Sequence, residues 1–132
     1  MANEAVNIEA PRIIKRRTVA NANAIAKGTV LYFSSDPNTA SATSAADQSF
    51  AGIAVEEKGA MDGITEIGAA MDGVWDMKDA GAGIALGVAC AIGGANLVVT
   101  ADANDILNGA WVGYTEETAS ASEVIRVRLK GF

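Results

Sequence analysis

"EVIRVRLK" (Glu123–Lys130) sets the fold class. Ile125, Val127 and Leu129 alternate with Arg126, Arg128 and Lys130. An extended chain turns successive side chains to opposite faces, so a period of two gives one apolar and one basic face. The stretch predicts a half-exposed strand. Its three aliphatic residues should be buried, and its three basic residues should point to solvent or to an acidic partner. Val124 breaks the polar side once.

The same rhythm continues upstream. "KGTVLYF" (27–33) and "FAGIAVEE" (50–57) are rich in strand-forming residues. Between them, "SSDPNTASATSAADQS" (34–49) reads as a polar excursion with a turn at Asp36-Pro37-Asn38. "AWVGYTEE" (110–117) echoes "FAGIAVEE": Phe50–Gly52 matches Trp111–Gly113, and each run ends on two glutamates. The echo fits either a repeated unit of strand, polar excursion and strand, or coincidence. Ala-Met-Asp-Gly occurs at 60–63 and again at 70–73, where Asp-Gly suits tight turns or bulges. Residues 80–101 carry no charge, but they hold five glycines and few large apolar side chains. Two strands joined at Gly93-Gly94 fit them better than a membrane span. Only "DMKDAGAGIAL" (76–86) hints at helix, and its glycines allow at most a turn or two. The expectation is a mainly β, compact, barrel-like single domain with little helix.

The chain has 132 residues, half of them hydrophobic but only 5% aromatic, with 14 glycines. Such a core buries little apolar area per residue, which favours oligomerisation. The formal net charge of −6 argues against nucleic acid as a partner. Without histidine the chain lacks the commonest general base and metal ligand. Cys90 lies among apolar neighbours and reads as a small buried residue.

Several motifs fall short of a site. Gly81, Gly83 and Gly87 miss the dinucleotide-loop spacing. Asp102 and Asn104 begin a calcium-loop pattern that Ile106 breaks. Asp62 and Asp72 are too few oxygen ligands for a metal. The Glu56-Glu57 and Glu116-Glu117 pairs point their members to opposite faces of a strand. No enzyme activity, cofactor, metal or membrane is expected.

Four of the ten basic residues fall between Arg12 and Arg17, in "PRIIKRRT" (11–18). Residues 1–20 read as an extended N-terminal arm on a domain of residues 21–132. Arg12, Ile13, Ile14, Lys15, Arg16 and Arg17 are the candidate binding residues. Aliphatic side chains beside arginines suit an acidic protein groove. Taken alone, a charge run also fits a solvated tail. On the arm reading, deletion of residues 1–17 should spare the fold.

"AIAKGTVLYFSSDPNTASATSAADQSFAGIAVEEKG" resembles the opening of capsid cement proteins, the head-decoration proteins of tailed viruses. "GVWDM" (73–77) resembles that family's mid-chain Gly-Val-aromatic stretch, and "VIRVRLKGF" (124–132) its closing strand. The resemblance covers roughly residues 13–132. It implies a β-tulip-like domain of the lambda type. It also implies homotrimers on the outer capsid surface of the virion, bound to HK97-type major capsid proteins after a stay in the host cytoplasm. The arm, residues 12–17, then docks on the capsid. The rival readings are another virion or surface-layer β module, and a small-ligand or carbohydrate-binding domain.

Overall fold

A computed structural model describes residues 3–131. The chain is mainly β. In order the elements are β1 (Val6–Glu9), β2 (Ile14–Thr18), β3 (Val30–Ser35), β4 (Thr39–Ala42), β5 (Phe50–Ala54), β6 (Glu66–Ala70), β7 (Val74–Asp79), β8 (Ala89–Gly94), β9 (Leu97–Thr100), α1 (Ala103–Leu107), β10 (Trp111–Thr115) and β11 (Val124–Leu129). Strands β2-β4-β3-β5-β6 close into one barrel. Strands β7, β11, β10, β8 and β9 form the second set, and the β7–β9 pairing brings its ends together; β1 is added on β7.

The two sets share one wiring. β2 runs parallel to β4 and antiparallel to β6, just as β7 runs parallel to β9 and antiparallel to β11. β3 lies between β4 and β5, as β8 lies between β9 and β10. The registers agree residue by residue along the strands, although the β3–β4 turn (36–38) is one residue longer than the β8–β9 turn (95–96). Leu31 faces Gly52 and Cys90 faces Gly113; Tyr32 faces Phe50 and Ala91 faces Trp111, with a bulge at the same place in both. The bridges Ile25–Lys58 and Ile84–Ala119 are also counterparts. The echo of "FAGIAVEE" in "AWVGYTEE" therefore marks a structural repeat.

The interiors correspond too. The first barrel is filled by Ile25, Leu31, Ala40, Ala51, Ala54, Ile67 and Ala69. At the matching positions the second holds Ile84, Cys90, Val98, Val112, Thr115, Ile125 and Val127, all buried. Alanines of the first barrel correspond in position to valines or threonine in the second, while Leu31 corresponds to Cys90. One buried cluster runs from the outer face of the first barrel (Val30, Phe50, Ile53, Ala70) through Trp75 into the second barrel's interior.

The closing strand behaves as its alternation predicts. Ile125, Val127 and Leu129 are buried, and Arg126 and Arg128 are exposed. Lys130 differs, being half-buried with its ammonium 5.2 Å from the Trp111 ring centroid and 5.9 Å from that of Phe50. The Gly93-Gly94 signal corresponds to the β8–β9 hairpin. Both Asp-Gly glycines have positive φ, +85° at Gly63 and +93° at Gly73. At Gly73 a Cβ would also lie 2.7 Å from the Glu9 carbonyl oxygen, so glycine is required twice over.

Three expectations need correction. Residues 76–86 form no helix: β7 runs to Asp79, and Asp79 Oδ2 then accepts the Gly83 and Ser122 N–H groups to hold an irregular loop. The helix lies at 103–107, where the failed calcium pattern is a capping box between Asp102 and Asp105. The polar excursion contains β4, whose small residues pack because Ala40 turns into the barrel. The boundary between an arm and a domain at residue 20 does not hold, because β2 is a barrel strand and β1 pairs with β7.

Candidate functional site: the basic strand β2

β2 is held on one side by five successive pairings with β6, from Ile14–Ala70 to Thr18–Glu66. Its entry is fixed by Asp72, whose Oδ1 accepts the Arg12 N–H at 2.7 Å and the Ile13 N–H at 2.8 Å. Asp72 belongs to the second Met-Asp-Gly turn, so that echo positions the basic segment rather than a metal.

The six candidate side chains divide into two groups. Arg12, Ile13, Ile14 and Lys15 are exposed, with Ile14 half open to solvent at 50%. Arg16 and Arg17 serve the barrel. Arg16 Nη1 donates to Glu56 Oε1 at 2.8 Å and its Nε to Glu66 Oε1 at 3.0 Å. Its pKa is raised, chiefly by the hydrogen bond to Glu66. Arg17 is half-buried, which lowers its pKa by desolvation. Its guanidinium lies 4.7 Å from the Phe33 ring centroid, and it donates to the Ala51 carbonyl and to Asn38 Oδ1. Arg17 therefore closes one end of the first barrel. The surface offered to a partner is Arg12 and Lys15, two cations without an acidic partner among the described residues, beside two isoleucines at the entry and start of β2. Arg16 is exposed as well but paired to Glu56 and Glu66.

The other sequence candidates are structural. Cys90 is fully buried, and desolvation pushes its thiol up to about 12. Glu56 Oε1 accepts the Gly68 N–H, and Glu117 Oε1 accepts the Arg126 N–H. Asp62 accepts the Ile64 and Gly59 N–H groups and lies 3.4 Å from the Lys58 ammonium, which together hold its pKa down. Among the described residues no cluster of three or more metal-ligating side chains occurs, and no helix is long and apolar enough to cross a membrane.

A second exposed surface was not singled out from sequence. Trp111 and Tyr114 meet edge to face, with ring centroids 5.6 Å apart, and the Arg128 guanidinium lies 5.7 Å from the Tyr114 ring. The Phe50–Trp111 echo was its one available signal.

No protein-family model matches this chain, and no curated protein matches it.

Proposed function

We propose that this protein is a capsid decoration protein that binds the outer surface of an HK97-type icosahedral shell as trimers and stabilises the expanded capsid. The observation that carries the reading is the exposed Arg12–Lys15 segment held on a barrel strand, taken together with the ordered resemblance to cement proteins. Ile13 and Ile14 supply apolar area, and Arg12 and Lys15 pair with carboxylates of the capsid protein. A ligand that binds one state of a lattice and not another stabilises that state. A decoration protein seated across neighbouring capsid subunits acts in this way when expansion brings its contacts together. Trimerisation multiplies the effect, since three segments bind as one unit.

The test is cosedimentation with purified expanded and unexpanded shells, followed by electron microscopy. Binding is expected to the expanded form, to weaken with added salt, and to be lost on combined Arg12→Glu and Lys15→Glu substitution. Binding by that double variant equal to the parent's would remove the docking role from β2. Absence of binding to any expanded shell would remove the decoration reading itself.

A further inference from the structure

The contact between the two barrels is one-sided. The first barrel contributes the outer face of β3, β5 and β6, where Val30, Phe50, Ile53 and Ala70 are buried. The second contributes its β8–β9 turn and the end of α1, where the Asn108 carbonyl accepts the Ser49 hydroxyl at 2.6 Å and the Gly109 carbonyl accepts the Phe50 N–H at 2.8 Å. Asn96 Oδ1 accepts the Val30 N–H at 2.9 Å, the Asn96 N–H donates to Thr43 Oγ1 at 3.0 Å, and Ala46 bridges Gly93. Asn96 is buried by this docking.

The matched registers identify the counterpart of each half. For Val30, Phe50, Ile53 and Ala70 they are Ala89, Trp111, Tyr114 and Arg128. The local backbone is the same: the Ala101 N–H donates to the Ala89 carbonyl at 2.9 Å, as the Thr43 N–H does to the Val30 carbonyl at 2.9 Å. Yet among the described residues this face is only partly covered: Tyr114 is 38% exposed where Ile53 is 0%, and Ala89 and Trp111 are half-buried. For the turn, the counterpart of Asn96 is Asn38. Both have positive φ, 58° and 52°, but Asn38 is exposed. Beside it Phe33 is 41% exposed where its counterpart Ile92 is 1%. Each chain thus uses one turn and one face and presents the other turn and the other face.

A contact whose two halves differ repeats head to tail when it forms between identical copies. We infer that the β3–β4 turn of one copy docks on the Ala89–Trp111–Tyr114–Arg128 face of a second copy, repeating between chains the contact that joins the barrels within each. Phe33 supplies the apolar anchor against the aromatic pair. Asp36, exposed in the same turn, supplies a negative charge for the basic face. Asn38 Oδ1 already accepts Arg17 Nη1 at 2.7 Å, and an amide oxygen has a second lone pair for the incoming N–H. Two parts of the contact have no counterpart: Ala101 stands in the place of Thr43 and offers no hydroxyl to the Asn38 N–H, and α1 stands where the Ala46 loop runs, so the contact between copies is weaker than the one within the chain. It supplies the sibling interface of the trimer proposed above and rests on that reading only for the number three. Its test uses no shell, so either can fail alone.

The experiment is sedimentation velocity from micromolar to millimolar protein. The parent chain is expected to associate with rising concentration. Phe33→Glu, which spoils the turn, and Tyr114→Glu, which spoils the face, should each stay monomeric. Their equimolar mixture should form a dimer and nothing larger, because each keeps the half that the other lacks. A parent that stays monomeric to millimolar concentration overturns the inference. So does a variant that associates as the parent does, or a mixture that does not pair. Should either variant misfold by circular dichroism, Ser35→Cys, which keeps Asn38, mixed with Ala89→Cys and a short bis-maleimide gives the same answer. Rapid joining of the two is expected, and its absence overturns the contact; Cys90 is too buried to compete.

Discussion

Lys58 and Asp105 show how single polar groups set local structure. The Lys58 ammonium is fully buried and donates to the carbonyls of Asn21 at 3.0 Å, Asn23 at 2.7 Å and Gly59 at 2.8 Å. It ties the loop after β2 to the loop after β5, a task that Ala119 cannot perform at the matching place. Lys58→Met leaves three acceptors without their donor and should cost about 1–3 kcal/mol in denaturant unfolding; an unchanged midpoint would show that water replaces the ammonium. Asp105 is buried at the α1 N-terminus, and its pKa is raised, first by desolvation and then by Asp47 and Asp102, against the Asp102 N–H bond that lowers it. A raised folded pKa means that the folded state holds the proton more tightly than the unfolded chain. The stability so gained is complete below the unfolded value and is lost as pH rises through the folded value. Asp105→Asn keeps an acceptor for the Asp102 N–H and removes the titration. It should therefore gain on the parent as pH rises from about 3 to neutrality, read as a rise in the urea midpoint of the variant minus that of the parent; a fall in that difference over the range would reverse the assignment.

At the scale of elements, legibility followed hydrophobic contrast. β11 is legible because large aliphatic and basic residues alternate, β3 and β5 because of their β-branched and aromatic content, and β8 and β9 because Gly93-Gly94 marks their hairpin. β4 escaped notice: Thr-Ala-Ser-Ala has little contrast, and its strand character comes from pairing with β3. β2 reads as part of an arm for a related reason. Barrel 1 needs only a half-buried Arg17 from it, so its sequence shows charge rather than alternation, and its place is set by β6. The consequence reverses the expectation for truncation. Removing residues 1–17 takes β1 and most of β2, opens the first barrel and leaves β6 paired on its β5 edge alone, so the truncated chain should lose its folded β circular dichroism and its sharp thermal transition. A cooperative unfolding step in that fragment would show that the four remaining strands close without β2. For β11, Val127→Asp places an unpaired carboxylate in a fully buried site and should cost several kcal/mol, about the upper range for single substitutions. Arg128→Ala removes an exposed side chain and should cost about 1 kcal/mol at most. Thermal unfolding of the two variants separates them, and equal losses would mean that the register of β11 is wrong.

For the whole molecule, the repeat raises the question of whether the two barrels are two folding units or one. Each has its own closed set of strands, which favours independence. Three observations favour unity. The outer face of barrel 1 lies in the same buried cluster as the interior of barrel 2. Asn96 of the second barrel completes the hydrogen bonding of Val30 and Thr43 in the first. The chain also crosses over: the Ala5 N–H donates to the Gly28 carbonyl in barrel 1 at 2.8 Å, and β1 pairs directly afterwards with β7 in barrel 2. Separation would expose Val30, Phe50, Ile53, Trp75 and Ala5 together and leave Asn96 without its partners, so neither barrel is complete alone. The first is also the poorer in core volume, with Ala40, Ala51, Ala54 and Ala69 where the second has larger residues, and depends the more on the shared face. Urea unfolding should accordingly be a single transition, coincident by far-ultraviolet circular dichroism and by tryptophan fluorescence, although both tryptophans, Trp75 and Trp111, report from barrel 2. An isolated fragment of residues 72–132 should be unfolded or only loosely ordered. A fluorescence transition at higher urea than the circular dichroism transition would instead mean that barrel 1 unfolds first while barrel 2 stands, and that the contact joining them is weaker than its burial implies.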